Sequence, residues 1–146
     1  MMRSRQGFTL IELLTVMTII LILASIGIPK LQSTKERAVV ASMIADLRTV
    51  TSQQEAFFAN NNDYAGGFGA VEVPGTGGAG RLALTPSPGN IIDLSWRSAG
   101  SVVGWRVTVR NPVVSNPASD ECGSFVGDPS FSPNAAVIVP AVPTCY

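Results

Sequence analysis

The sequence contains no histidine. That removes the commonest general base and the commonest metal ligand together. Cysteine is scarce, with Cys122 and Cys145 the two present. Zinc sites normally draw four Cys or His ligands, so a disulfide is the better reading of this pair. If bridged, the pair places its part of the chain in an oxidising compartment outside the cytoplasm. Charge is sparse at 14 %, and 10 basic residues cancel 10 acidic ones. No field for nucleic acid or another polyanion follows from that balance. A glycine-rich stretch over 64–80 (Gly66, Gly67, Gly69, Gly75, Gly77, Gly78) lacks the Walker lysine and any strand-Gly-x-Gly-helix context. It reads as a surface loop and not as a phosphate cradle. No cysteine has a basic partner, no acids are paired in a cleft pattern, and no Ser or Thr is marked as a nucleophile. The chain is expected to be neither an enzyme nor a cofactor carrier.

What the sequence has is one long apolar run. Between Phe8 and Ile28 the single charged residue is Glu12. Roughly 20 residues at about 1.5 Å each cover a hydrocarbon core of ~30 Å, so residues 8–28 are long enough to span a bilayer as a helix. A carboxylate at membrane depth costs about 2.5–3.5 kcal/mol on insertion scales, so Glu12 needs an interface or a partner. Residues 1–7 form a short polar leader with Arg3 and Arg5. The apolar run is too long for a secretory signal peptide, and no small-residue cleavage site follows it. Two readings stay open on these grounds: an uncleaved signal anchor, or cleavage after Gly7 that leaves the span on the mature chain. Arg3 and Arg5 on one side of the span face Lys30, Lys35 and Arg37 on the other, so the positive-inside rule is close to a draw.

Gly7-Phe8-Thr9-Leu10-Ile11-Glu12-Leu13-Leu14, preceded by a short basic leader, resembles the processing site of type IV pilins and type II secretion pseudopilins. The match is full over those positions and continues in character to Gln32. Leu31 departs from it, since relatives often carry an aromatic soon after the proline. The resemblance implies cleavage between Gly7 and Phe8 by a prepilin peptidase, and N-methylation of the new Phe8 amine. It also implies that Glu12 helps a subunit join a filament, and that the leader lies in the cytoplasm. Elementary electrostatics agrees: in a low-dielectric bundle the Phe8 amine of a neighbouring subunit can neutralise the Glu12 carboxylate and select axial register. Glu12 could instead remain solvated at the interface, or meet its own Phe8 amine.

Pro29 has no N–H for the carbonyl of Ser25 and crowds it, so a kink or local unwinding is expected there. In the resembled family this region can lose helical structure within the filament. From 30 to 59 the pattern turns amphipathic: Glu36, Val40, Met43, Leu47, Val50, Gln54 and Phe57 fall on one face, widened by Ala41, Ile44 and Phe58. Lys35, Arg37, Asp46 and Arg48 are expected elsewhere. One helix over 8–59 would be about 78 Å long, which suits a protruding stalk. Asn60-Asn61-Asn62-Asp63 should stop it.

Residues 91–97 and the alternating Val103, Trp105, Val107 and Val109 predict two antiparallel strands around a turn at 98–101. Residues 135–139, between Pro133 and Pro140, predict a third. The sheet should cover the helix stripe. The proline-rich tail over 111–146 reads as loop. A Cys122–Cys145 bridge in it would contribute roughly 3–3.5 kcal/mol in the chain-entropy model, and it resembles the disulfide-bounded C-terminal loop of type IV pilins. Some major pseudopilins bind calcium in this region, which makes Asp120, Glu121 and Asp128 weak calcium candidates. They lack EF-hand spacing and equally suit solvated surface acids.

The expected fold class is α+β, a long N-terminal helix on a small antiparallel sheet with a disulfide-bounded C-terminal loop. The expected segments are a cleaved leader (1–7), a transmembrane or filament-core helix (8–28), an amphipathic helix (29–62) and a β-sheet head (63–146). The expected function is that of a filament subunit. Its partners would be copies of itself, the prepilin peptidase and methyltransferase, inner-membrane assembly machinery and the membrane, with no specific nucleic acid. The cysteine pair favours a type IV pilin over a secretion pseudopilin. A monomeric membrane-anchored binding module is the competing class. Such a tether would need neither Gly7 nor Glu12. The location would be the inner membrane, then an extracellular or periplasmic filament.

Overall fold

A computed structural model describes residues 7–68, 81–82 and 84–146. The leader residues 1–6, with Arg3 and Arg5, and most of the glycine-rich stretch, residues 69–80, lie outside the described residues. The chain divides into two compact units, Met1–Lys35 and Glu36–Tyr146. A single helix, α1 (Leu10–Asn61), contributes to both.

In the first unit α1 starts at Leu10 and its helical assignment runs through Pro29 without interruption. Every large apolar side chain described between Phe8 and Ile28 is exposed. This part of α1 is apolar and long enough to cross a membrane by length and composition.

In the second unit the buried face of α1 consists of Met43, Leu47, Val50 and Gln54, at spacings of three and four. Gln54 is fully buried because it clasps the chain that follows the helix: its Nε2 donates to Ala65 O, and Ala65 N donates to its Oε1, both at 2.9 Å. The helix ends where Asn62 takes φ 55° and donates its N–H to Phe58 O at 2.8 Å. That is a left-handed C-terminal cap, a conformation asparagine tolerates. Ala41, expected on the packed face, is exposed. Asp46, expected outside it, is buried.

Two short strands, β1 (Gly67–Phe68) and β2 (Arg81–Leu82), pair in parallel. The main sheet has the order β3-β4-β5-β6 and is antiparallel throughout. Strands β3 (Ile91–Ala99) and β4 (Val102–Arg110) form the expected hairpin. Its loop is Gly100-Ser101, tighter than the four residues anticipated, and Gly100 supplies the left-handed φ of 62° that such a loop needs. The inner face carries Leu94, Trp105, Val107 and Val109, which close the core with Met43, Leu47 and Val50.

The third strand is not where the sequence placed it. Residues 135–139 form turns, with Ile138 78 % and Val139 56 % exposed and Val137 alone buried. Asn134 sets the turn: its Oδ1 accepts from Ala136 N at 2.9 Å and its carbonyl from Val137 N at 2.9 Å. The third strand is instead β5 (Glu121–Val126), inside the tail expected to be loop, followed by β6 (Thr144–Cys145). Both faces of β5 are covered. Cys122 belongs to the helix-side core, while Phe125 joins Phe131 and Val137 in a second, smaller cluster on the outer face. A 3-10 turn, Pro129–Phe131, delivers Phe131 to that cluster. Gly123 is required by close approach, because a Cβ there would lie 2.6 Å from Pro133 Cγ. On the way to β6, Ala141 adopts φ 63°. An alanine in this region costs roughly 1–2 kcal/mol.

Candidate functional site

Between Phe8 and Ile28 in the first unit one charged side chain, Glu12, stands among exposed apolar residues. Thr9 precedes the first helical residue, and its Oγ1 accepts from Glu12 N at 3.3 Å. Glu12 reaches back: its Oε2 accepts from Thr9 N at 2.9 Å and from Thr9 Oγ1 at 2.7 Å. This is a capping box, in which two otherwise orphaned helix-end donors are satisfied reciprocally. Thr-x-x-Glu before an apolar run is its sequence signature, a signal that the reading of Glu12 as a membrane charge passed over. The carboxylate is therefore held at the helix start, on the N–H of the peptide bond between Phe8 and Thr9. Past it, Phe8, Leu13, Leu14, Met17 and Leu21 line a shallow apolar groove along α1.

In the second unit a buried polar network joins α1 to both ends of the β3–β4 hairpin. Asp46 accepts from Ser87 Oγ at 2.7 Å, Ser87 N at 3.0 Å and Asn90 Nδ2 at 2.7 Å. Asn90 Nδ2 also donates to Ser42 Oγ, and its Oδ1 accepts from Asn111 Nδ2 at 2.8 Å. A buried carboxylate is tolerable when donors converge on it in this way. Near the helix end, Asp63 Oδ1 accepts from Trp96 Nε1 at 3.0 Å, and Phe58 stacks on Tyr64 at 4.6 Å between centroids.

Cys122 and Cys145 are disulfide-bonded and lie directly opposite each other on β5 and β6. Asp120 is exposed, Glu121 opens β5 opposite Arg110, and Asp128 caps the 3-10 turn. Hydrogen bonds from the Ser130 hydroxyl and N–H hold the Asp128 carboxyl below its ordinary range. Among the described residues no three His, Cys, Asp or Glu come together as a metal-binding group.

Tyr146 packs against the outer cluster. Burial, then the neighbouring Glu121, pushes its hydroxyl up to about 12, against the opposing pull of Arg106. Tyr64 is raised by burial and then by Glu55. A raised folded-state value means the folded chain holds its proton where the unfolded chain has lost it. The Tyr146 contribution is complete below pH about 10 and is lost as pH rises toward about 12. An ultraviolet titration of the native chain should show phenolate appearing above the ordinary tyrosine range. Tyr146→Phe should flatten the fall in stability over that interval.

A family model described as the prokaryotic N-terminal methylation motif matches residues 2–28. The chain is 41 % identical over 90 residues to the type IV wide pilus major component PilA4 of Thermus thermophilus, covering 62 % of this chain and 63 % of that protein. It is 34 % identical over 64 residues to the type II secretion system core protein G of Dickeya chrysanthemi, covering 44 % and 42 % of the two chains. The corresponding protein of Aeromonas hydrophila is 34 % identical over 62 residues, covering 42 % and 43 %. The chain thus spans about two fifths to three fifths of the length of these relatives. No solved structure matches it. The chain carries the prokaryotic N-terminal methylation motif and is homologous to a type IV pilin and to type II secretion core proteins.

Proposed function

We propose that the chain is a structural subunit of a type IV pilus or a pilus-like filament. The observation that carries this reading is the methylation motif over residues 2–28, which ends in an exposed apolar helix bearing one acid. A precursor held in the inner membrane loses residues 1–7 at the Gly7–Phe8 bond, and the Phe8 amine is methylated. Copies then bundle their 8–28 helices, where lipid or another helix replaces water around Leu13, Met17, Leu21 and their neighbours. Glu12 meets the Phe8 amine of a neighbouring copy, exchanging part of its capping-box role for a charge pair at low dielectric. Pro29 is the point at which α1 gives way when the helices are drawn into register. The second unit acts as the displayed surface. The prepilin peptidase and the inner-membrane assembly machinery are the implied partners.

The similarity to type II secretion core protein G supports a second reading, a secretion pseudopilin. The disulfide and the longer match to PilA4 favour the pilus. Deleting the gene in its host separates them. The pilus reading predicts loss of a surface filament with secretion intact. The other predicts a secretion defect with surface filaments unchanged. Loss of neither contradicts both.

A further inference from the structure

Strand β5 turns the backbone of alternate residues toward the open side of the sheet, and one returning segment pairs with it at Glu121, Gly123 and Phe125. Tyr146 N donates to Glu121 O at 3.0 Å, Thr144 pairs with Gly123, and Ala141 N donates to Phe125 O at 2.8 Å. Apart from Tyr146 on the outer cluster and Cys145 on the helix-side core, the segment buries little. Its regular strand is two residues long, and Val142, like Ile138 and Val139 before it, keeps its side chain exposed. The return also forces Ala141 into the left-handed region. What fastens it is the Cys122–Cys145 bond, set between directly opposite residues.

We propose that residues 141–146 are an exchangeable edge strand. In the reduced chain this segment adds to β5 of a second copy in place of that copy's own, and a Cys145–Cys122 disulfide between chains locks it there. The occupant is a second copy because that copy's segment already has the register, the small Gly123 seat and the cysteine that β5 accepts. Exchange re-forms the Thr144–Gly123 pairing and the Tyr146–Glu121 bond, so these do not decide between the closed and exchanged forms. The decision falls to the hinge, where an opened 138–141 lets Ala141 return to an ordinary conformation, set against the entropy of joining two chains. Strained hinges are known to invite such exchange. Each interchain bond forms as two thiols pass two electrons and two protons to one molecule of oxidised glutathione, which leaves as two thiols. Oxidation before two chains meet gives the closed monomer. Oxidation after they meet gives the cross-link. The inference concerns the second unit and stands or falls independently of the filament reading.

The test uses full-length chain in detergent micelles, half of it 15N-labelled. The mixture is reduced, checked for native tryptophan emission, reoxidised in a glutathione buffer and digested. Mixed-label Cys122–Cys145 peptides should rise with chain concentration toward the value for random pairing of the labels. They should far exceed Cys122–Cys122 and Cys145–Cys145 cross-links. Ala141→Gly, which relieves the hinge, should lower the mixed-label share about tenfold at equal concentration (about 1.4 kcal/mol). Three results would overturn the proposal: mixed-label peptides no commoner than the two like-cysteine cross-links, a share unmoved by Ala141→Gly, or loss of native emission on reduction. The last counts because a folded β4–β5 pair must be present to receive the strand.

Discussion

Glu12→Ala should abolish filament assembly while leaving membrane insertion intact or improved. Removing the carboxylate spares the chain about 2.5–3.5 kcal/mol of insertion cost, so a defect in assembly would not be a defect in targeting. The capping box complicates the interpretation, because Glu12 also accepts the Thr9 N–H and its loss frays the start of α1. Glu12→Gln resolves this. A glutamine at the same position can still accept from Thr9 N and complete the box, but it carries no charge for a neighbouring Phe8 amine. If charge pairing drives assembly, Gln should fail as fully as Ala. If Gln assembles normally, the cap is what matters and the charge-pair account is wrong. Thr9→Val, which removes the hydroxyl and keeps the carboxylate, should cost only the roughly 1 kcal/mol typical of a lost cap.

Asp46→Ala should be among the most damaging single changes to the second unit. It would leave the Ser87 N–H and the Ser87 hydroxyl without their acceptor, and the Asn90 amide with Ser42 Oγ alone. Each orphaned donor costs about 1–3 kcal/mol, so with two at Ser87 a loss of at least about 2 kcal/mol is expected. Against a typical total of about 5–15 kcal/mol that is a large fraction. Asp46→Asn keeps the shape and one acceptor oxygen but sets an NH2 against facing donors, and should lose about half as much. Urea denaturation followed by Trp105 emission reads the effect, since Trp105 lies in the core that the network secures. A change below 1 kcal/mol for Ala would mean that water reaches these groups in solution.

The helix and the hairpin were legible because each repeats one period over many residues. Met43, Leu47, Val50 and Gln54 step at helical spacing, and Trp105, Val107 and Val109 alternate. The second half of the sheet was not legible in this way. Glu121-Cys122-Gly123-Ser124-Phe125-Val126 has small residues where a strand usually advertises bulk. The reason is tertiary: Gly123 lies under Pro133 and the Tyr146 hydroxyl, so a larger side chain would not fit. Residues 135–139 carry the opposite signal. Ala135-Ala136-Val137-Ile138-Val139 has the composition of a strand, but Asn134 bends the chain and only Val137 finds a place to bury.

The polar members of the helix face show the same limit. Periodicity put Gln54 on the packed stripe without saying why an amide belongs there, and it left Asp46 to solvent. Both serve partners far along the sequence: Ala65 for Gln54, and Ser87 and Asn90 for Asp46. Pairings of that kind carry no local period. Cysteine count alone was enough to suggest the Cys122–Cys145 bond. That the bond fastens an edge strand became visible only in the pairing of β5 with β6.

The central claim is that residues 1–7 are removed and the remaining helix is packed among copies of itself. Surface filaments sheared from the host and dissolved for intact-mass and N-terminal analysis test this most directly. The account predicts this chain as a filament component, beginning at Phe8 and heavier by one N-methyl group. Filaments lacking the chain, with the protein retained in the membrane and still beginning at Met1, would contradict it.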